Sequence, residues 1–415
     1  MNVLYYLVME MVGGLLPLVG VFVPKIRFFL NQRKNLISPL ANFRTTHAGP
    51  LTWFHVASLG EYEQAKPVIA ALKMSEPETW VVVSFFSASG YEPVSKKPQA
   101  GVDWITYLPL DRRRMAERFV DVLQPSRSIF VKYDLWYHHL QALKNKAIPT
   151  YLIAASLRPE QAYFSWYGGF FRKMLVNMDW IFTQNEVSVQ LLTQLNCTQV
   201  SFTGDTRFDR VAATASQPLD FPKLKNWIQG RTAIVIGSAW EEDMDLLIPL
   251  IQSKPEWLWI IAPHAIDPVA IERWSARLAA PTQKYSDWRE ENSHRILFID
   301  NIGMLSSLYQ FAHMAYVGGG FGKGLHNILE PLGFGIPVIF GKPQQVSKFP
   351  EAEQSQVAGC GFAVKNTKEL HDVVTRLDQP EFYTQSVAAA HQWVNSNLGA
   401  AARIVEQLTA STQTK

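Results

Sequence analysis

Between residues 51 and 203 the chain repeats one pattern: a short, almost wholly apolar run, a polar turn, then a stretch of helical character. The runs fall at 51–57, 80–85, 104–107, 128–132, 150–155, 180–183 and 200–203, with helices expected over 61–73 and 111–123. A strand that is apolar on both sides must be covered on both faces. Crossover helices on a parallel sheet supply that cover. The pattern lapses over 214–231, which carries polar residues and two prolines, and then restarts. Strands follow at 232–237, 257–262, 295–299, 313–317 and 336–340, with helices at 241–251, 325–334 and 381–408. The expected fold is therefore α/β, with two Rossmann-like domains in tandem. At 415 residues the chain exceeds what one core usually supports. The spacing predicts domains at 35–213 and 232–380, joined by a linker at 214–231 and followed by a C-terminal helix at 381–415. In such folds ligands bind outside the carboxyl ends of the strands, and two domains in tandem predict a cleft.

Residues 1–34 form a separate segment. Up to Val23 the chain is apolar, and Glu10 is the only side-chain charge there. Lys25, Arg27, Arg33 and Lys34 follow, and no acid occurs between Glu10 and Glu61. No base precedes the apolar run and no small-residue cleavage site follows it, so it is not a secretory signal. It is long enough to span a bilayer, yet Glu10, Pro17 and three glycines make it a poor uniform helix. An interfacial anchor or a span both fit, and the bases would face anionic headgroups. A buried first helix is the competing expectation. The net charge of +3 is too small to mark a nucleic-acid binder. Cys197 and Cys360 form no CxxC pair and no metal-ligand spacing, which suits a reducing compartment.

Four strand ends carry chemistry. Ser58-Leu59-Gly60-Glu61 follows the first strand, and a carboxylate there can take a proton from a hydroxyl. A helix N-terminus also favours an acid through its dipole. Gly318-Gly319-Gly320-Phe321-Gly322-Lys323-Gly324 precedes the expected helix at 325–334. Exposed backbone N–H groups, the helix dipole and Lys323 would form an anion site. Asn327 and Glu330 are expected on one face of that helix, where Glu330 can hold ribose hydroxyls. The loop is neither a P-loop nor a dinucleotide fingerprint, and no GxGxxG follows the first strand, which argues against a dehydrogenase. Asp243-Met244-Asp245 suggests a metal pair, but Ser238 and Glu241 read as a capping box, and Ser238 can still touch a phosphate. Ala262-Pro263-His264 offers an imidazole to a phosphate or simply ends a strand. The aromatic and basic stretch at 164–173 suits either a lipid interface or the core.

Taken together these residues resemble the Kdo transferases, the 3-deoxy-D-manno-octulosonic acid transferases. His55–Glu61 resembles the family's catalytic segment, whose Glu is the general base. Lys132-Tyr133-Asp134-Leu135-Trp136 resembles a family segment reading Glu-x-Glu-x-Trp-Pro. Gln184-Asn185-Glu186, the run 203–209 and the run 316–337 also match. Asp134 stands where the family more often has Glu, and Tyr137 replaces Pro. Pro263-His264 lacks the Arg of the family's Pro-Arg-His, and Trp240 replaces a His.

The resemblance implies a glycosyltransferase B fold, a CMP-Kdo donor and a lipid A precursor as acceptor, at the cytoplasmic face of the inner membrane. It implies Glu61 as base, with Ser58, Gly60, Asp134 and Trp136 on the acceptor side. Donor contacts would come from Ser238, Pro263, His264, Gly318, Gly319, Gly320, Phe321, Lys323, Asn327 and Glu330. No metal, cofactor or nucleic acid is called for if backbone dipoles carry the phosphate charge. A UDP-sugar transferase on a lipid acceptor, and a non-catalytic membrane-binding module of the same fold, are the alternatives.

Overall fold

The computed structural model describes residues 2–288, 294–322, 324–345 and 348–413. It divides into two compact units, Met1–Arg210 with Leu398–Lys415, and Val211–Asn397.

The first unit holds seven strands: β1 Leu51–Val56, β2 Trp80–Phe85, β3 Trp104–Tyr107, β4 Arg127–Val131, β5 Thr150–Ala155, β6 Trp180–Thr183 and β7 Val200–Phe202. All pairings are parallel, in the order β3-β2-β1-β4-β5-β6-β7. Neighbouring residues of a strand point to opposite faces. Trp53 accordingly packs with Phe119, Phe130 and Leu152 on one side, while Phe54 joins Ile69, Val83 and Val405 on the other. Each such side chain contributes roughly 1.5–3 kcal/mol on burial. The buried Trp53 indole N–H is satisfied by Ser84 Oγ at 2.8 Å.

The second unit holds β8 Ala233–Ala239, β9 Leu258–Pro263, β10 Thr282–Lys284, β11 Ile296–Phe298, β12 Met314–Val317, β13 Val338–Gly341 and β14 Gly361–Val364. This sheet is also all parallel, ordered β10-β11-β9-β8-β12-β13-β14. The first sheet's order reverses between β1 and β4; in the second the corresponding reversal lies between β8 and β12, and β11 is inserted between β9 and β10. Loops leaving such a reversal splay apart and leave room for a ligand.

Several expected boundaries differ. The unit boundary falls at 210/211, inside a helix Thr206–Ser216, and the expected linker contains a second helix, Pro222–Ile228. The expected C-terminal helix is two, Pro380–Ser396 and Ala400–Gln413. They are separated at Gly399, whose φ of +91° suits glycine. Asp209 accepts the N–H groups of Gly399 at 2.7 Å and Ala401 at 2.8 Å, satisfying the start of the last helix. That helix packs Ile404 and Leu408 into the first unit's core. The helix expected over 325–334 shrinks to Leu329–Gly333.

The N-terminal segment is one continuous helix, Asn2–Phe22, despite Pro17. Tyr5, Met9, Glu10, Gly13, Leu16 and Gly20 are its half-buried or buried residues, a single helical stripe. Tyr5 donates to Asp111 at 2.6 Å, and Arg112 donates to Glu10 at 3.0 Å. The rest of the surface, including Leu4, Leu7, Met11, Leu15, Leu18 and Phe22, is apolar and exposed. Lys25, Arg27 and Lys34 are exposed, but Arg33 is not: it is 7% exposed and donates to Leu108 O at 3.0 Å and Phe29 O at 3.2 Å. Arg33 therefore clamps the backbone, with all three guanidinium nitrogens donating to carbonyls. Arg27, though exposed, donates to Gly20 O at 3.0 Å.

Candidate active site

The loops after β1 and β4 meet at the first unit's reversal. Ser58, in extended conformation, precedes the helix Leu59–Ser75, and its hydroxyl donates to the Glu61 carboxylate instead of accepting a backbone N–H. The other carboxylate oxygen lies 4.0 Å from Lys132 Nζ, too long for a hydrogen bond. That oxygen remains able to accept a proton. Gly60 has ordinary room around it, since an added Cβ would meet only Ser58 Oγ at 3.7 Å. The tight glycine is Gly90, where a Cβ would sit 2.9 Å from Leu59 N. It lets the helix Ala88–Ser95 abut the Ser58–Leu59 turn, a role sequence reading did not assign.

Asp134 ends a buried polar chain. Trp53 Nε1 can only donate, so Ser84 Oγ accepts from it and directs its own proton to His55 Nδ1 at 2.9 Å. His55 then carries its proton on Nε2 and donates to Asp134 Oδ2 at 2.9 Å. Trp136 Nε1 donates to the same oxygen at 3.2 Å while its ring stacks on Phe86 at 4.6 Å. Asp134 and Trp136 are thus brought together and fixed. Other resembling segments are structural. Gln184 Nε2 donates to Gln64 and to Asp205, and Asn185 caps the helix Glu186–Gln194.

In the second unit the glycine loop behaves otherwise than expected. Gly318 N donates to Gly237 O at 2.9 Å, Gly319 N to Asp243 Oδ2 at 2.9 Å, and Gly324 N to Gly319 O at 3.0 Å. These N–H groups are spent inside the protein rather than presented to an anion. The helix that follows has five residues and begins only at Leu329, so it supplies no useful dipole. The glycines answer a packing demand. A Cβ on Gly320 would lie 1.9 Å from Gly341 O, and one on Gly318 would lie 2.4 Å from Ser238 O. Phe321 packs on Gly341 against the core. Lys323 lies outside the described residues.

The expected capping box of Ser238 and Glu241 is not formed. Ser238 adopts φ +53°, and it is Asp243 that accepts Trp240 N at 2.9 Å. Asp243, 1% exposed, also accepts the Tyr316 hydroxyl at 2.8 Å. Burial pushes its carboxyl up from the usual range. Asp243 ties β8, β12 and the glycine loop together, and its neighbour in the sequence, Asp245, pairs outward with Arg277 at 2.6 Å.

Above this scaffold Trp240 stacks on His264 at 4.0 Å, and His264 lies 4.6 Å from His326. Trp240 Nε1 donates to His326 Nε2 at 3.2 Å, which leaves the His326 proton on Nδ1. Burial first, then the nearby His264, lowers the His326 pKa to about 4. Burial lowers His264 as well. Two neutral imidazoles and an indole thus line the strand ends beside buried Pro263. Asn327 precedes the short helix instead of lying on it, accepting Leu329 N at 3.2 Å and donating to Glu330 at 3.4 Å. Sequence reading met Trp240 and His326 only within the resembling segments and gave neither a role; Trp240 lies one residue beyond β8 and His326 nine beyond β12.

A family model described as 3-deoxy-D-manno-octulosonic-acid transferase (kdotransferase) matches residues 30–210, most of the first unit. A 3-deoxy-D-manno-octulosonic acid transferase of Chlamydophila psittaci is 28% identical over 350 residues, covering 80% of this chain and 78% of that protein. Over these stretches the chain is similar to the Kdo transferases. It is a glycosyltransferase, and its fold class is glycosyltransferase B. Solved structures share that fold at low identity. UDP-GlcNAc 2-epimerase from Neisseria meningitidis is 18% identical with a TM-score of 0.57, covering 87% of this chain and 99% of that one. A glycosyltransferase from Rickettsia africae is 12% identical with a TM-score of 0.55, covering 86% and 97%. The switch-point loops of both sheets carry the polar residues described above.

Proposed function

We propose that the protein transfers Kdo from CMP-Kdo to a lipid A precursor at the cytoplasmic face of the inner membrane. The observation that carries the reading is the Glu61 carboxylate, with one oxygen bonded by Ser58 and the other left 4.0 Å from Lys132. In the reaction the bond between the Kdo anomeric carbon and the CMP phosphate oxygen breaks with oxocarbenium character. The acceptor hydroxyl oxygen forms the new bond, and its proton passes to Glu61. The CMP phosphate leaves as an anion and needs donors. With the N–H groups of Gly318, Gly319, Gly322 and Gly324 engaged internally, His264 and His326 are the donors assigned here, and Trp240 is a stacking surface. Glu330 and Asn327 are assigned to the ribose, with Ser238 near the phosphate.

The membrane half of the proposal is supported by the helix Asn2–Phe22, whose narrow stripe docks on the protein while a wide apolar face stays exposed. That division suits a helix lying in the interface rather than crossing it. Lys25 and Lys34 add headgroup contacts.

The test is incubation with CMP-Kdo and a lipid A precursor, read by mass spectrometry, beside calorimetric titration with CMP and UDP. A product heavier by one or more Kdo residues supports the proposal. Tighter binding of UDP, with no Kdo product, replaces it with a UDP-sugar transferase. No transfer and no nucleotide binding would leave a binding module.

A further inference from the structure

Away from the strand ends, the first unit has a pocket of about 380 Å³ lined by Arg33, Asn35 and Ser38 on one side and Arg114, Met115 and Arg118 on the other. Among the described residues no carboxylate lines it. Arg114 and Arg118 stand four apart on the helix Arg113–Leu123, so two like charges share one face, an arrangement that weakens a helix. Arg113 and Arg114 also occupy its first turn, where the dipole disfavours cations. Arg113 offsets this by pairing with Glu117 at 2.9 Å. Among the described residues neither Arg114 nor Arg118 has a carboxylate within salt-bridge distance. Glu10, whose charge Arg114 feels, is already gripped by Arg112.

Arg33 adds a third charge, and its partners are backbone carbonyls of Leu108, Phe29 and Phe86, not acids. Burial lowers its pKa to about 10. A buried guanidinium without a counterion is expensive unless an anion comes close. Leu36, Ile37 and Pro109 complete its lining with apolar surface. Arg112, next to Arg113 and Arg114, holds Glu10 of the exposed apolar helix Asn2–Phe22.

We infer that the pocket formed by Arg33, Ser38, Arg114 and Arg118 binds the phosphomonoester headgroup of an amphiphile whose chains lie along the apolar N-terminal helix. Two guanidinium forks and a hydroxyl match the three terminal oxygens of a phosphomonoester better than the two of a diester. The inference rests on the lipid-facing reading given above and names a headgroup chemistry for it.

The test uses the full chain with phosphatidylcholine vesicles doped to equal surface charge with phosphatidic acid or phosphatidylserine. Wild type should bind the phosphatidic acid vesicles about tenfold more tightly. R114Q/R118Q should bring that ratio near one. R113Q, which removes a charge outside the pocket, should weaken both vesicle types alike and keep the ratio. Unchanged melting temperatures establish that the variants are folded. A wild-type ratio of one, or a ratio surviving in R114Q/R118Q, overturns the inference. Calorimetry with inorganic phosphate separates the sources: binding as tight as to phosphatidic acid vesicles would make the occupant a soluble phosphate and overturn the amphiphile. Loss of Kdo transfer with the vesicle ratio intact would instead sink the functional reading alone.

Discussion

Asp243 accepts the backbone N–H of Gly319 at 2.9 Å from a position 76 residues earlier in the chain, and through that bond the helix after β8 fixes the loop after β12. The same carboxylate accepts Trp240 N and the Tyr316 hydroxyl. Asp243→Ala would leave three donors unsatisfied at a buried site. The expected loss is roughly 3–5 kcal/mol of stability by urea denaturation. Asp243→Asn should lose about 1 kcal/mol, because the Tyr316 hydroxyl can turn to accept from the new amide. Equal losses in the two variants would argue against this account.

The glycine loop offers an internal contrast. A Cβ on Gly320 meets Gly341 O at 1.9 Å, whereas nothing lies within 4 Å of one on Gly322. Gly320→Ala should destabilise by about 2–3 kcal/mol or more, since backbone must move. Gly322→Ala should stay within roughly 0.5 kcal/mol of wild type. Thermal melts of the two proteins check this.

Glu61→Gln should keep the fold and the nucleotide affinity while turnover falls by about 10²–10⁴-fold. Ser58→Ala should lower turnover less, because the carboxylate remains. Single-turnover kinetics with CMP titrations decide it, and near-normal turnover of Glu61→Gln would remove that residue from the mechanism.

His326 makes stability pH-dependent. Its folded pKa of about 4 lies below the usual 6.5, so between those values the unfolded chain binds more protons. Stability is therefore lost as pH falls from about 6.5 towards 4, by up to about 2–3 kcal/mol from this group. His326→Asn should show a smaller drop in unfolding free energy between neutral and acidic pH than wild type. Identical drops would mean that His326 is not the group responsible.

The bases after the N-terminal helix should divide into two kinds. Arg33→Gln should lower the melting temperature, because carbonyls of Leu108, Phe29 and Phe86 lose a shared donor. Lys25→Gln with Lys34→Gln should leave the melt unchanged and reduce salt-sensitive vesicle binding by about 1 kcal/mol per charge. A melt lowered by the lysine pair would contradict the division.

The parallel sheets were legible because buried strands read as short apolar runs. Strands such as 80–85, 104–107, 150–155 and 180–183 stand where the pattern put them. β10, Thr282–Lys284, escaped notice because three polar, half-buried edge residues carry no apolar signal. Glu61 and His264 were legible as polar residues at strand ends, and Asp134 through the segment that resembles the family's. Asp243 was not, since an acid in the first turn of a helix looks like a dipole partner until its burial is known. The glycine loop was only partly legible for a related reason: composition shows that side chains are missing, but not that the Gly341 carbonyl fills part of the space. Arg33 looked like its exposed neighbours because a charge run carries no sign of which member turns inward.

The return of the chain to its first unit at Leu398 also bears on synthesis. Residues 211–397 form a contiguous stretch and can finish folding while the last residues are still within the ribosome. The first unit starts earlier but lacks Ile404 and Leu408, which seal one face of its sheet, until translation has nearly ended. A stop codon a few residues past 397 would therefore spare the half made last and leave the half made first with an open face.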